Sequence, residues 1–262
     1  MGRSLNRKVS MRQFEVRDDR CAMKVGTDAL LLGSWSKVEG ASKILDIGTG
    51  SGIVLLMAAQ RAGDQAICIG VDLDPEACAQ ARENFAASPF KATIHHADAL
   101  QWLEQSADQF DVITCNPPFF RDKPLGPNAV RNLARHDFAL PIEELLVKAA
   151  AKLTAQGKLQ LVWPADRLED VENNLAPSGL VAKEICEVIS RPGLPALRVL
   201  LDLVLTSSEE SKPRRTSIVV ESAPREEGGP PIYSNEYRGL LAPYISQFSP
   251  QLNAQNNAKS GS

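Results

Sequence analysis

The chain has 262 residues, 44% of them apolar and 23% charged, with a formal net charge of −3. This length carries one large domain, and the composition excludes disordered and fibrous classes. The slight acidity excludes a uniformly basic nucleic-acid binder but leaves room for local basic patches on a near-neutral body.

The first 13 residues are polar and basic (Arg3, Arg7, Lys8, Arg12) and are expected to form a flexible arm. No apolar run follows them, so they do not read as a signal peptide. No stretch approaches the roughly 18 apolar residues of a membrane span. Residues 14–37 predict a short extended piece and then a short helix around Ala29-Leu30-Leu31-Leu32.

From residue 43 strands and helices alternate. Strands are predicted at 44–47, 67–71, 92–95, 110–114 and 158–163, and helices at 53–61, after Asp74-Pro75, and at 141–153. Asp74 suits a helix cap, and Pro75 the first helical position, where its missing N–H costs nothing. Apolar strands alternating with helices predict an α/β fold with a parallel sheet covered on both faces. Residues 184–189 and 198–206 follow one another with only a loop between, predicting a terminal antiparallel hairpin. The expected total is seven strands, mostly parallel. Residues 221–231 read as a loop and 232–248 as a helix that packs back. The domain is expected to span 14–248, followed by a disordered tail over 249–262.

Five scattered cysteines (Cys21, Cys68, Cys78, Cys115, Cys186) form no C-x-x-C pair, and there are three histidines. Neither a metal site nor a disulfide framework is expected, and the setting expected is reducing and cytoplasmic.

Asp46-Ile47-Gly48-Thr49-Gly50-Ser51-Gly52 follows the first strand of this run and opens a helix. Glycines there allow a tight turn and close approach of a ligand, and the helix start offers free N–H groups. Asp72, ending the next strand, stands where a carboxylate accepts ribose hydroxyls. Two cofactors fit. A dinucleotide prefers G-x-G-x-x-G, which is absent; S-adenosylmethionine, with its ammonium group, suits the acid ahead of the first glycine. Asp98, ending the third strand, has two readings: acceptor for the cofactor's adenine amine, or cap of the following helix.

Asn116-Pro117-Pro118-Phe119 follows the fourth strand. An aromatic amine is a poor nucleophile because its lone pair is delocalised. The Asn116 amide oxygen and the Pro117 carbonyl are two acceptors at a fixed separation, able to hold both N–H groups and free the lone pair. Consecutive prolines stiffen the backbone. Phe119 offers a stacking face, worth roughly 1–3 kcal/mol per base, against the cost of unstacking a target base. Cys115 reads as a buried structural thiol rather than a nucleophile.

At these residues the chain resembles the class I S-adenosylmethionine-dependent methyltransferases with an N-P-P-[FY] motif, whose targets include adenine and guanine amines and a glutamine amide in release factors. A second segment, Phe14 to Trp35 with the core Asp19-Arg20-Cys21-Ala22-Met23-Lys24-Val25-Gly26-Thr27-Asp28, is similar to the start of the bacterial tRNA(Val) adenine-N6 methyltransferases, which act at position 37. The resemblance implies a Rossmann-like fold, S-adenosylmethionine as cofactor, a tRNA substrate and a monomer. It places Lys24 and Thr27 by the cofactor, and with Asp46, Gly48, Gly50, Gly52, Asp72, Asp98 and Asn116 they complete the expected cofactor site. The Phe-Phe after Pro118 replaces a pair that often contains tyrosine.

Basic residues gather in residues 1–24, in the loop carrying Arg121, Lys123, Arg131 and Arg135, and at Lys212, Arg214 and Arg215. The first two clusters flank the expected site in sequence and fit phosphate contacts. The rivals to adenine methylation are glutamine-amide methylation of a release factor, a dinucleotide-binding oxidoreductase, and an RNA-binding module without activity.

Overall fold

The structure, a computed structural model, describes residues 8–118, 140–206, 212–225 and 229–248. The chain opens with a two-stranded antiparallel hairpin, β1 (Lys8–Ser10) and β2 (Glu15–Arg17), followed by α1 (Thr27–Trp35). The alternating run is β3 (Lys43–Ile47), α2 (Ile53–Ala62), β4 (Ile67–Asp72), α3 (Pro75–Ala86), β5 (Thr93–His96), α4 (Ala99–Gln105) and β6 (Phe110–Cys115). After the motif come α5 (Ile142–Ala150), β7 (Leu153–Pro164), α6 (Leu168–Ser178), β8 (Leu180–Ile189), β9 (Ala196–Leu205), β10 (Arg214–Val219) and α7 (Asn235–Leu241).

Among the described residues the main sheet has eight strands, in the order β10-β8-β9-β7-β6-β3-β4-β5. Only β9 runs against the others, pairing antiparallel with both β7 and β8. The strands are apolar on both faces, and successive residues serve opposite cores. Ile44, Val112, Cys186 and Leu200 face the layer of α1, α2, α3 and α7; Leu45, Ile113, Ile185 and Leu201 face that of α4, α5 and α6. Two-sided burial is what a parallel sheet with crossover helices requires.

Three expectations need correction. The sheet has an eighth strand, β10, so the β8–β9 hairpin is not its edge. Its leading Arg214 and Arg215 read as a surface cluster, but an edge strand tolerates charge, and its inner residue Ile218 is buried. Residues 8–13, expected within a flexible arm, are built into the molecule. Met11 is buried, and the Arg12 N–H donates to the Tyr244 carbonyl at 2.8 Å. The helix expected over 232–248 is shorter, because Pro243 cannot continue it; a 3-10 turn at Ser246–Phe248 follows. Helix α6 lacked a sequence signal: it buries only Val171 and contains Pro177. Residues 1–7 of the expected arm, the expected tail at 249–262, Phe119, and Arg121 to Arg135 of the second basic cluster lie outside the described residues.

Candidate active site

The C-terminal ends of β3, β4 and β6 lie side by side, with Asp46 in register with Gly70 on one side and Thr114 on the other. In an open α/β sheet this edge is where ligands bind. A cavity of about 590 Å³ opens here, lined by Lys24, Asp46, Gly48, Asp72, Asp98 and Asn116 among others. That volume suits a nucleoside-sized ligand.

The glycine loop crosses from β3 onto β4. The Gly48 and Thr49 N–H groups both donate to the Val71 carbonyl, at 2.8 and 3.1 Å. Gly48 and Gly50 have φ of +67° and +54°, conformations that other residues adopt only with strain. Gly52 caps α2 with φ +81°, and a Cβ there would stand 3.2 Å from the Phe85 ring. Gly52 therefore shapes the loop from behind and does not line the cavity.

Asp46 is 2% exposed. Its Oδ1 accepts a 2.7 Å hydrogen bond from the Thr114 hydroxyl, and its Oδ2 has no protein partner among the described residues. Burial pushes the carboxyl up to about 7, against the lowering effects of the Thr114 and Thr49 hydroxyls. The Asn116 Oδ1 is likewise buried without a partner. Two buried acceptors left open on one cavity call for a ligand with N–H donors, since such atoms are costly to leave unpaired.

Asp72 is held by backbone. Its Oδ2 accepts from Gly50 N–H at 2.7 Å and its Oδ1 from Asp74 N–H at 2.9 Å. Burial raises its pKa. Each oxygen keeps a lone pair for a ribose hydroxyl. Of the two readings of Asp98, the cap is seen directly: its Oδ1 accepts from Gln101 N–H at 2.9 Å at the start of α4, and the residue also lines the cavity.

The segment before α1 forms the opposite wall. Asp18 is fully buried and its Oδ2 accepts the Val25 N–H at 2.8 Å. The Lys24 ammonium donates to the Asp18, Asp19 and Cys21 carbonyls, so this lysine lines the cavity while its charge clasps its own loop. Thr27 begins α1 and does not line the cavity.

Three contributors escaped sequence reasoning. Asn84, on α3, accepts from Arg17 N–H at 3.0 Å and donates to the carbonyls of Arg17 and Ser51 at 2.8 Å each, joining β2 to the glycine loop. Thr114 orients Asp46, and Asp18 folds the 18–25 loop. Each acts on a residue distant in sequence or through backbone, so no local pattern marks it. Cys115 lines the cavity but is fully buried, and burial holds its thiol well above its ordinary pKa, as a structural thiol requires. Among the described residues no group of three or more His, Cys, Asp or Glu is placed to hold a metal.

The glycine turn, the acid Asp72 at the end of β4 and the buried Asn116 amide oxygen after β6 line one cavity at the C-terminal edge of the sheet, the arrangement of a Rossmann-like, S-adenosylmethionine-dependent methyltransferase. The methyltransferase small domain model matches residues 23–175. A predicted O-methyltransferase from Agrobacterium tumefaciens shares the fold: TM-score 0.57 at 21% identity, covering 83% of this chain and 96% of that one. Sequence relatives narrow the family. A tRNA1(Val) (adenine(37)-N6)-methyltransferase of Bacteroides thetaiotaomicron is 39% identical over 233 residues, 89% of this chain and 94% of that protein. One of the same name from Aeromonas salmonicida is 40% identical over 245 residues, 93% and 98% of the two chains. The chain belongs to this family of tRNA1(Val) (adenine(37)-N6)-methyltransferases.

Proposed function

We propose that the protein methylates the exocyclic N6 amine of an adenosine in tRNA, at position 37 of tRNA(Val), using S-adenosylmethionine. The observation that carries this reading is the Asn116 Oδ1, buried on the cavity wall directly after β6 with no partner among the described residues. An amide oxygen left open there is an acceptor awaiting an N–H donor. The relatives' names supply the particular amine.

Asp46 binds the cofactor's ammonium, directly or through water, Asp72 its ribose hydroxyls and Asp98 its adenine amine. Gly48 and Gly50 let the backbone approach, Gly52 sets the turn, and Lys24 and Thr27 hold the segment that closes the methionine end. When bound, S-adenosylmethionine supplies an electrophilic methyl on a sulfonium. Asn116 Oδ1 and the Pro117 carbonyl each accept one N–H of the target amine. Those bonds draw the nitrogen towards tetrahedral geometry and free its lone pair. Pro118 keeps the acceptors at fixed spacing, and Phe119 stacks on the extruded base. The surplus proton of the methylated amine then passes to water. The enzyme acts as a cytoplasmic monomer and needs no metal.

The test offers labelled S-adenosylmethionine with tRNA, release factor and DNA separately. Label recovered as N6-methyladenosine from tRNA is expected; label in a release-factor glutamine or in DNA overturns the reading. Asn116→Ala is expected to lower kcat by about 10²–10³-fold, the usual effect of losing one positioned polar group in a transition state. Cofactor affinity should change little, and near-parental turnover removes Asn116 from the mechanism.

A further inference from the structure

We infer that the β8–β9 hairpin is the docking element for the RNA loop that carries the target base, with Arg191, Leu194 and Leu197 as its contact residues. The inference rests on the tRNA reading above and adds where the RNA sits.

Topology places the hairpin beside the cavity mouth. Leu161 on β7 is level with Cys115 on β6, and Pro164 on β7 pairs with Arg198 on β9. Strands lie about 4.8 Å apart and rise about 3.3 Å per residue, so Arg198 stands about 10 Å to the side of the end of β6 and about 10 Å beyond it. The hairpin thus rises past the sheet edge on the side where the cavity opens.

The hairpin tip closes in a hydrogen-bonded turn. Leu194 N–H donates to the Arg191 carbonyl at 3.2 Å across Pro192 and Gly193, and Gly193 has φ +79°. Proline followed by positive-φ glycine is the pattern of a type II turn, preformed before any partner arrives. The base is anchored too: Arg198 Nε donates to Asp28 Oδ2 at 2.9 Å, tying the hairpin to the first turn of α1.

The side chains it presents need a cover. Leu194 and Leu197 are 43% and 55% exposed. Two of the seven large apolar side chains exposed among the described residues thus lie on this one hairpin, and a third, Met23, stands on the cavity wall. Clustered exposed apolar groups mark interaction surfaces. Splayed, unstacked RNA bases stack on aromatic rings or guanidinium planes, and phosphates take cations; Arg191 at the turn can serve either purpose, with Leu194 and Leu197 adding apolar contact beside it. Several described members of the basic clusters evident in the sequence are paired with acids. Lys8 pairs with Glu15, Arg20 with Glu83, Arg214 with Glu184 and Arg215 with Glu172. Arg214 and Arg215 also lie on β10, four strands from β6.

The full-length protein and its Arg191→Glu, Leu197→Asp and Leu197→Ala variants should be compared for methyl transfer to tRNA, with S-adenosylhomocysteine affinity as the measure of an intact cofactor site. The two charged variants are expected to raise the KM for tRNA by about tenfold, with kcat at saturating RNA and cofactor affinity held within about twofold. Leu197→Ala should have a smaller effect in the same direction. Arg191→Glu should also shallow the log–log salt dependence of RNA binding by about one. Parental KM values in all three variants overturn the hairpin's role while leaving the function intact. A parent protein that labels no tRNA overturns the functional reading, and this inference with it.

Discussion

Asp46 is the residue whose chemistry depends most on its surroundings. A carboxylate at 2% exposure loses its hydration, and burial lifts its pKa to about 7, with Asp72 adding a like charge from β4. Its unfolded pKa is near 3.9, so between about pH 4 and 7 the folded chain holds more protons and stability falls as pH rises. A cofactor carrying an ammonium reverses the preference and favours the ionised form. Affinity for S-adenosylhomocysteine, which has the same ammonium, should therefore decline as pH drops below about 7, with proton release on binding. The Thr114 hydroxyl opposes the upward shift by donating to Oδ1. Thr114→Val is expected to move this pH edge upward and weaken binding at neutral pH by about tenfold, while Thr114→Ser retains most of it. Calorimetry across pH 5–9 checks both, and an unmoved edge in Thr114→Val removes Thr114 from the control of Asp46.

Helix α1 meets α2 through the smallest side chain available. A Cβ on Gly33 would stand 2.7 Å from the buried Met57 sulfur, and the Tyr244 hydroxyl donates to the Met57 carbonyl at 3.1 Å beside them. Overpacking costs about 1–3 kcal/mol, whereas alanine gains up to about 1 kcal/mol over glycine as a helix former. Gly33→Ala should therefore lose about 1–2 kcal/mol in urea unfolding, and should cost less when introduced into a Met57→Ala background, a non-additivity that reports the contact. Helix α3 shows the converse, an element whose start is legible residue by residue. Asp74 accepts from Glu76 N–H at 2.9 Å and Pro75 takes the first position, as expected from the sequence. Asp74→Ala should cost about 1 kcal/mol, measured by the same unfolding.

A polar cluster centred on Lys37 joins the far half of the sheet to the end of α1. Lys37 Nζ donates to Glu184 at 2.6 Å and Asp202 at 2.9 Å, and Gln160 bridges Asp202 and the Lys37 N–H. Burial alone would raise the Glu184 carboxyl, but Lys37, Thr216 and Arg214 outweigh it and hold it below the usual carboxylate range. Its contribution is thus present above the unfolded pKa, near 4.3, and is lost as pH falls through the folded value. Lys37→Met leaves two buried carboxylates without their cation. Because the lysine side chain is 39% exposed, screening reduces the usual penalty, and a loss of about 1–3 kcal/mol at pH 7, shrinking towards pH 4, is expected. A pH-independent loss would exclude this origin.

The strand–helix alternation, the glycine turn between Asp46 and Gly52 and the Asn116–Pro118 turn at the end of β6 were legible along the chain, because each depends on residues within one strand–loop–helix unit. Local periodicity and turn chemistry are enough to specify such units. The charged strand β10, the Thr114–Asp46 bond, the Asn84 stitch and the rise of the β8–β9 hairpin beside the cavity were not legible. Each joins segments tens of residues apart, and the pairing of strands that brings them together is selected by burial over both faces of the sheet at once. The linear order of residues thus specified the chemistry on offer, a nucleoside pocket and an amine acceptor. The folded sheet settled which groups meet there, because long-range packing sets the distances on which hydrogen bonds and ion pairs depend.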